Sequence, residues 1–242
     1  MKAIVLSCDK YHAMAEHMIL NYQTLWPDNQ LTFRIPWNEQ CPNHIQDRFG
    51  EKVELIQTGL KFKDTFSGLT IDLNDNDWVY WCIDDKYPIE IDSPKAQQVF
   101  NFVQSIQNPN IINTCFHFVR GIRNSAEYMQ REKIGLSLFF DNLTFIEHNG
   151  YINHWLHQFF RVKALREFWS KMKEPKQYQA RPMDEHLEPL TGTYLTLNHN
   201  ICKYGESTTK GTITNNCFQS FNNLNMQVPG HFLHGKRRTV II

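Results

Sequence analysis

The most constraining feature of this 242-residue chain is one run, Trp78-Val79-Tyr80-Trp81-Cys82-Ile83, apolar at every position and stopped by Asp84-Asp85. A half-buried strand alternates apolar and polar residues. A run without alternation predicts instead a strand covered on both faces, the situation of a largely parallel sheet between two layers of helices. The flanking pattern agrees. Residues 3–6 form a short apolar run ending in Ser7-Cys8-Asp9, after which Tyr11, Met14, Ala15, Met18, Tyr22 and Leu25 recur at helical spacing. Strand-like segments follow at 31–35, 53–56, 111–119 and 193–201. Ser93-Pro94 opens a helix with an apolar stripe of Ala96, Val99, Phe100, Val103 and Ile106. Leu165, Phe168, Trp169 and Met172 mark another.

Short strands alternating with helices predict an α/β fold, a single Rossmann-like mixed sheet flanked by helices and mainly parallel in its first half. We expect one domain over 1–242, with a division into halves near residue 105. The stretch 203–227 is rich in Thr, Asn, Gly and Ser and reads as a mobile loop.

Lys+Arg and Asp+Glu both number 25, so the formal charge is zero and no overall field draws in a polyphosphate, which argues against a nucleic-acid partner. The cysteines at 8, 41, 82, 115, 202 and 217 show no CxxC spacing and sit largely in apolar runs, as free thiols do in a reducing compartment. A cytoplasmic location is the expectation. No run approaches a membrane span, so no integral membrane segment is expected. Lys236, Arg237 and Arg238 beside Val240-Ile241-Ile242 form a segment suited to contact with a lipid surface.

In an open α/β sheet, ligands bind at the carboxyl ends of the strands. Here those ends carry Ser7-Cys8-Asp9, Pro36-Trp37-Asn38 and Asp84-Asp85. Two adjacent carboxylates at the end of a buried strand are costly unless a cation or a set of donors faces them, and oxygen ligands suit Mg²⁺ or Mn²⁺. The alternative is an Asx-turn leading into a surface loop. The segment from Gly230 to Arg237 formally fits G-x-x-x-x-G-K, but Arg237 replaces the hydroxyl residue of a P-loop. Its His231 can complete a coordination sphere begun by carboxylates, and Lys236 can neutralise a diphosphate; a solvated basic segment is the other reading. Asp184-Glu185-His186 follow a proline, either as a source of a general base or as ordinary first-turn helix residues. Neither G-x-G-x-x-G nor G-x-S-x-G occurs.

Two segments carry a resemblance. Ile4-Val5-Leu6-Ser7-Cys8-Asp9-Lys10-Tyr11, followed by a helix and Leu25-Trp26-Pro27-Asp28, is similar to the opening of glycosyltransferases of the GT-A fold, in particular small bacterial and phage-type sugar transferases. Trp78 to Ile83 with Asp84-Asp85-Lys86-Tyr87-Pro88 resembles the strand and acidic motif with which that family binds a metal and the donor diphosphate. The resemblance covers about the first hundred residues. It implies a nucleotide-sugar donor, most simply a UDP-sugar, a glycan or other hydroxyl acceptor, and assistance by Mn²⁺ or Mg²⁺. It also implies that Ser7, Asp9 and Tyr11 lie near the nucleotide and that Asp85, supported by Asp84, is the metal-binding acid. The family motif is Asp-any-Asp; here Lys86 follows the adjacent acids and stands where it can carry part of the cation's charge. Asp184, with Glu185 beside it, falls where the family carries an acid near the acceptor. His231 and Lys236 resemble a late segment that completes the metal site and grips the diphosphate, and Lys210 is a second candidate for that grip. Two other functions compete: a nucleotide-sugar-forming nucleotidyltransferase, whose glycine-rich phosphate loop Ser7 to Tyr11 lacks, and a non-catalytic carbohydrate-binding domain.

Overall fold

The computed structural model describes residues 1–116, 134–148, 154–172 and 190–242. Its frame is a nine-stranded mixed sheet flanked by helices, the α/β architecture the sequence predicts. Strand β1 (Lys2–Leu6) leads through a 3-10 turn into helix α1 (His12–Leu25). Then come β2 (Thr32–Trp37), α2 (Asn43–Phe49), β3 (Val53–Gln57), α3 (Phe62–Thr70) and β4 (Trp78–Ile83). These four strands pair in parallel, with β1 between β2 and β4. The chain therefore walks to one side of β1, then crosses back to the other. That reversal puts the topological switch point, and the crevice it opens, between the carboxyl ends of β1 and β4.

After Asp84-Asp85 the chain leaves the main sheet as β5 (Lys86–Ile91), then forms α4 (Ser93–Ser105), capped by Asp92, whose carboxylate accepts from the Lys95 amide, with Pro94 in the first turn. The main sheet continues with β6 (Ile111–Cys115), the hairpin β7 (Ile134–Phe140) and β8 (Leu143–His148), and β9 (Gln158–Arg161) running into α5 (Val162–Lys171). With β10 (Thr193–Leu197) the order across the sheet is β3-β2-β1-β4-β9-β6-β10-β8-β7, antiparallel where β9 separates β4 from β6.

Residues 203–227, which composition marks as loop, are instead regular structure. Strand β11 (Cys202–Glu206) pairs antiparallel with β5, the hairpin β12 (Thr208–Thr209) and β13 (Thr212–Ile213) follows, and α6 (Asn215–Asn223) closes the segment. The small polar residues serve as punctuation: Thr214 caps α6 by accepting from the Cys217 amide, and Lys210-Gly211 take positive φ at the hairpin turn. A few apolar residues are enough to anchor it, since Tyr204, Cys217 and Phe221 are all buried.

Strand β4 is apolar throughout because it serves two cores. Tyr80 and Cys82 face the layer of α1 and α4, with Met18, Tyr22, Trp26, Phe100 and Phe159. Val79, Trp81 and Ile83 face α3 and α5, with Phe66, Leu69, Phe168 and Trp169. The cysteines are free, four of them buried and Cys8 and Cys41 exposed. Among the described residues no helix is long and apolar enough to cross a membrane.

Candidate functional site

The crevice begins where β1 ends. The Asp9 carboxylate turns sideways and accepts from the backbone amides of Asn38, Glu39 and Gln40 at 2.8, 2.8 and 3.0 Å. Partial burial pushes its pKa up, but these three donors outweigh it and hold the group below the usual carboxylate range. Asp9 thus ties the loop after β2 to the loop after β1, and His12, whose Nε2 donates to the Pro36 carbonyl at 2.9 Å, packs behind it.

Across the crevice, Asp84 and Asp85 form the turn between β4 and β5. The Asp84 amide donates to the Leu6 carbonyl at 3.2 Å, so the two strand ends are bonded directly. Burial pushes the Asp84 carboxyl well above its ordinary range; a hydrogen bond with Ser7 opposes the shift and the neighbouring Asp85 adds to it. Tyr11 completes this wall. Its hydroxyl is hydrogen-bonded to the Thr208 side chain, and burial first, then the Asp84 and Asp85 charges, raise its pKa. Ser7, Tyr11, Asp84 and Asp85 therefore form one group.

Lys86 is 6% exposed, and its ammonium lies 3.3 Å from Asp85 Oδ1 and 3.1 Å from Glu206 Oε1. Burial alone would lower its pKa; Asp85 and Glu206 together hold it above the ordinary value. One cation is thus shared by two carboxylates. Strand β11, which brings Glu206, also brings Ser207: its amide donates to the Asp85 carbonyl at 2.6 Å and its hydroxyl to the Asp84 carbonyl at 3.2 Å.

No protein-family model matches this chain, and no curated protein matches it. Solved structures do. The galactosyltransferase LgtC in complex with donor and acceptor sugar analogs matches over 80% of this chain and 73% of its own, at 14% identity and a TM-score of 0.48. An active-site mutant of LgtC matches over 80% and 72%, at 13% identity and 0.48. The glycosyltransferase GlyE of Streptococcus pneumoniae TIGR4 matches over 81% of this chain and 45% of its own, at 10% identity and 0.46.

The remaining candidates fall at the rim. His231 lies in a 3-10 turn docked on the loop after β1: its Nε2 is 3.3 Å from the Lys10 carbonyl, and the adjacent Phe232 ring packs edge-on against Tyr11 at 5.0 Å. Lys210 sits at the tip of the β12–β13 hairpin, whose base meets Tyr11 through Thr208 and whose far strand donates from the Thr212 hydroxyl to the His234 carbonyl at 2.5 Å. Lys236 is exposed just beyond. Asp184 and Glu185 lie outside the described residues.

A divalent ion needs several convergent oxygen ligands. Asp85 is engaged by Lys86, Asp84 faces Ser7, and His231 faces the Lys10 carbonyl. Among the described residues no group of three or more His, Cys, Asp or Glu side chains converges. The described residues thus offer two adjacent carboxylates and do not by themselves fit a metal.

Glu206, Ser207 and Thr208 are the site residues that sequence reasoning missed. Composition hid them, because a Gly-Glu-Ser-Thr-Thr run looks like loop; the alternation of Cys202, Tyr204 and Glu206 around exposed Lys203 was the available signal. The basic segment near residue 240 is also tied into the fold. Its backbone runs along β11, with the Tyr204 amide donating to the Ile242 carbonyl at 3.1 Å and the Glu206 amide to Val240 at 3.1 Å, and Arg237 stacks on Phe218 with its guanidinium 3.9 Å from the ring centre.

Proposed function

We propose that this chain is a glycosyltransferase that uses a nucleotide sugar, a UDP-sugar in the simplest case, and transfers the sugar to a hydroxyl of a glycan or similar acceptor. The observation that carries this reading is the acid turn at the switch point between β1 and β4, flanked by Ser7 and by Tyr11, to which Thr208 of the β12–β13 hairpin is hydrogen-bonded. It is the place where an open α/β sheet takes a nucleotide, and it coincides with the two segments that resemble GT-A enzymes.

In this reading Ser7 and Tyr11 face the nucleotide and Asp9 shapes its floor by holding the loop after β2. Asp85, through its pairing with Lys86, fixes the turn that lines the diphosphate site, and the cations on the open rim, Lys210 and Lys236, balance the diphosphate's charge as the leaving group departs. The acceptor oxygen forms the new bond to the anomeric carbon while the bond from that carbon to the diphosphate oxygen breaks. The acceptor proton passes to Asp184 or Glu185 as general base.

The test is release of nucleotide from UDP-, GDP- and CMP-sugars by the intact protein and by Asp85→Ala, each with Mn²⁺ and with chelator. Release from one donor class that falls at least a hundredfold in Asp85→Ala is the expected result. No binding and no release from any donor would remove the transferase reading, and the chelator arm reads directly whether an ion is required.

A further inference from the structure

The hydrogen bonds that hold the acid turn lead inward as well as across the crevice. The carbonyl of Ile83, the residue before Asp84, lies 2.9 Å from His157 Nε2. A carbonyl can only accept, so Nε2 carries a proton, and in the neutral ring that full burial favours Nδ1 is left as an acceptor. The Tyr22 hydroxyl lies 2.7 Å from Nδ1 and gives it its single proton. Tyr22 must then accept from Tyr80, at 2.9 Å, and Tyr80 from Tyr204, at 3.1 Å. The three hydroxyls, with Tyr22 also 3.5 Å from Tyr204, form a relay cluster that donates through Tyr22 to His157 and through His157 to the Ile83 carbonyl.

All four side chains are at most 2% exposed. They come from α1, β4, β11 and the segment just before β9. Burial raises all three phenols well above their ordinary range, so none ionises and the donor directions persist. Packing alone does not call for such a relay: phenylalanines would fill the same space without the desolvation cost of buried polar groups, which is offset only when every partner is present.

Its end point is informative. The Ile83, Asp84 and Asp85 carbonyls each accept from a donor outside the turn: His157 for the first, the Ser207 hydroxyl for the second, the Ser207 amide for the third. Tyr204, a member of the relay cluster, is two residues from Glu206, which reaches the turn through Lys86.

We propose that His157, oriented by the Tyr22–Tyr80–Tyr204 relay, is a positioning residue that fixes the Asp84-Asp85 turn from beneath and couples it to β11. The effect on turnover rests on the glycosyltransferase reading; the effect on the turn does not.

Hydrogen exchange on the full chain, followed in peptides covering 78–91, tests the structural part. Tyr22→Phe and His157→Phe should speed exchange at residues 84–86 at least tenfold. His157→Gln, which restores an N–H donor to Ile83, should bring it back toward wild type. Val103→Ala, a cavity in α4, should speed exchange in α4 and leave the turn unchanged. A uniform acceleration across the sheet in the His157 and Tyr22 variants, or equal behaviour of His157→Gln and His157→Phe, would overturn the proposal. If His157→Phe does not fold, Tyr22→Phe against Val103→Ala decides the matter by the same criterion. In the nucleotide-release assay, positioning predicts a kcat at least tenfold lower in Tyr22→Phe with KM within twofold; a raised KM at unchanged kcat would contradict it. A wild type that releases nothing refutes the transferase reading alone and leaves the exchange result to judge the relay.

Discussion

Lys86→Met is the most direct probe of how the acid turn is held. The substitution keeps most of the stem's volume and removes the ammonium, leaving Asp85 and Glu206 without their shared partner. Breaking a fully buried ion pair from one side costs about 3–5 kcal/mol. Here the Asp85 and Glu206 side chains are 45% and 28% exposed, so solvent relieves part of the stranded charge. A loss of about 2 kcal/mol is expected. For a chain of this size that corresponds to a melting temperature roughly 4–8 °C lower. Urea unfolding at pH 7 measures it, and a second variant sharpens it: Lys86→Met/Glu206→Gln removes one of the stranded carboxylates and should regain about 1 kcal/mol. The sign with pH is fixed as well. A lysine whose folded pKa lies above its unfolded value contributes fully below about 10.4 and loses that contribution as pH rises through the folded value, so wild type and Lys86→Met should converge only at strongly alkaline pH. A Lys86→Met protein as stable as wild type at pH 7, with no recovery in the double variant, would refute the view that this lysine is held by both carboxylates.

Asp84 has the opposite linkage. Its carboxyl is raised in the folded state, so it stays protonated there while the unfolded chain ionises, and stability falls as pH rises above about 4, by at most about 1.4 kcal/mol per unit. Asp84→Asn should flatten that decline in unfolding curves taken from pH 4 to 8; parallel curves for the two proteins would count against the shift. Gly205→Ala tests the seating of β11: a Cβ there would stand 2.6 Å from Asn216 Nδ2 and 2.8 Å from Tyr87 Cε1, so overpacking of about 1–3 kcal/mol is expected in thermal unfolding, and a neutral result would mean that α6 yields easily.

The first half of the fold was legible because its signals are local. An apolar run without alternation, a helical stripe after residue 11 and a capped helix at 93 each follow from the chain's own periodicity. The acid turn was legible for the same reason, since it ends the least ambiguous strand. What pairs with that turn was not. Lys86 is expected from the sequence to carry part of a bound cation's charge beside the acids, and only the long-range pairing of β5 with β11 reveals Glu206 on its far side. That Asp9, expected near the nucleotide, accepts from amides of a loop about thirty residues away is likewise a long-range fact. The partners of His157 lie on other elements, and no spacing in the sequence brings them together.

The distance in sequence between Lys86 and Glu206 has a consequence for synthesis. The strands that define the crevice are made before their brace: the carboxylate and the serine that hold its acid turn come 120 and more residues later, and the backbone of 240–242 that lies along β11 comes later still. At translation rates of about 5–20 residues per second, the emerging chain carries an unbraced turn for roughly ten seconds. During that interval the acids, the lysine and the crevice are present without the geometry that joins them, so a nascent chain has the parts of the site well before it has the site.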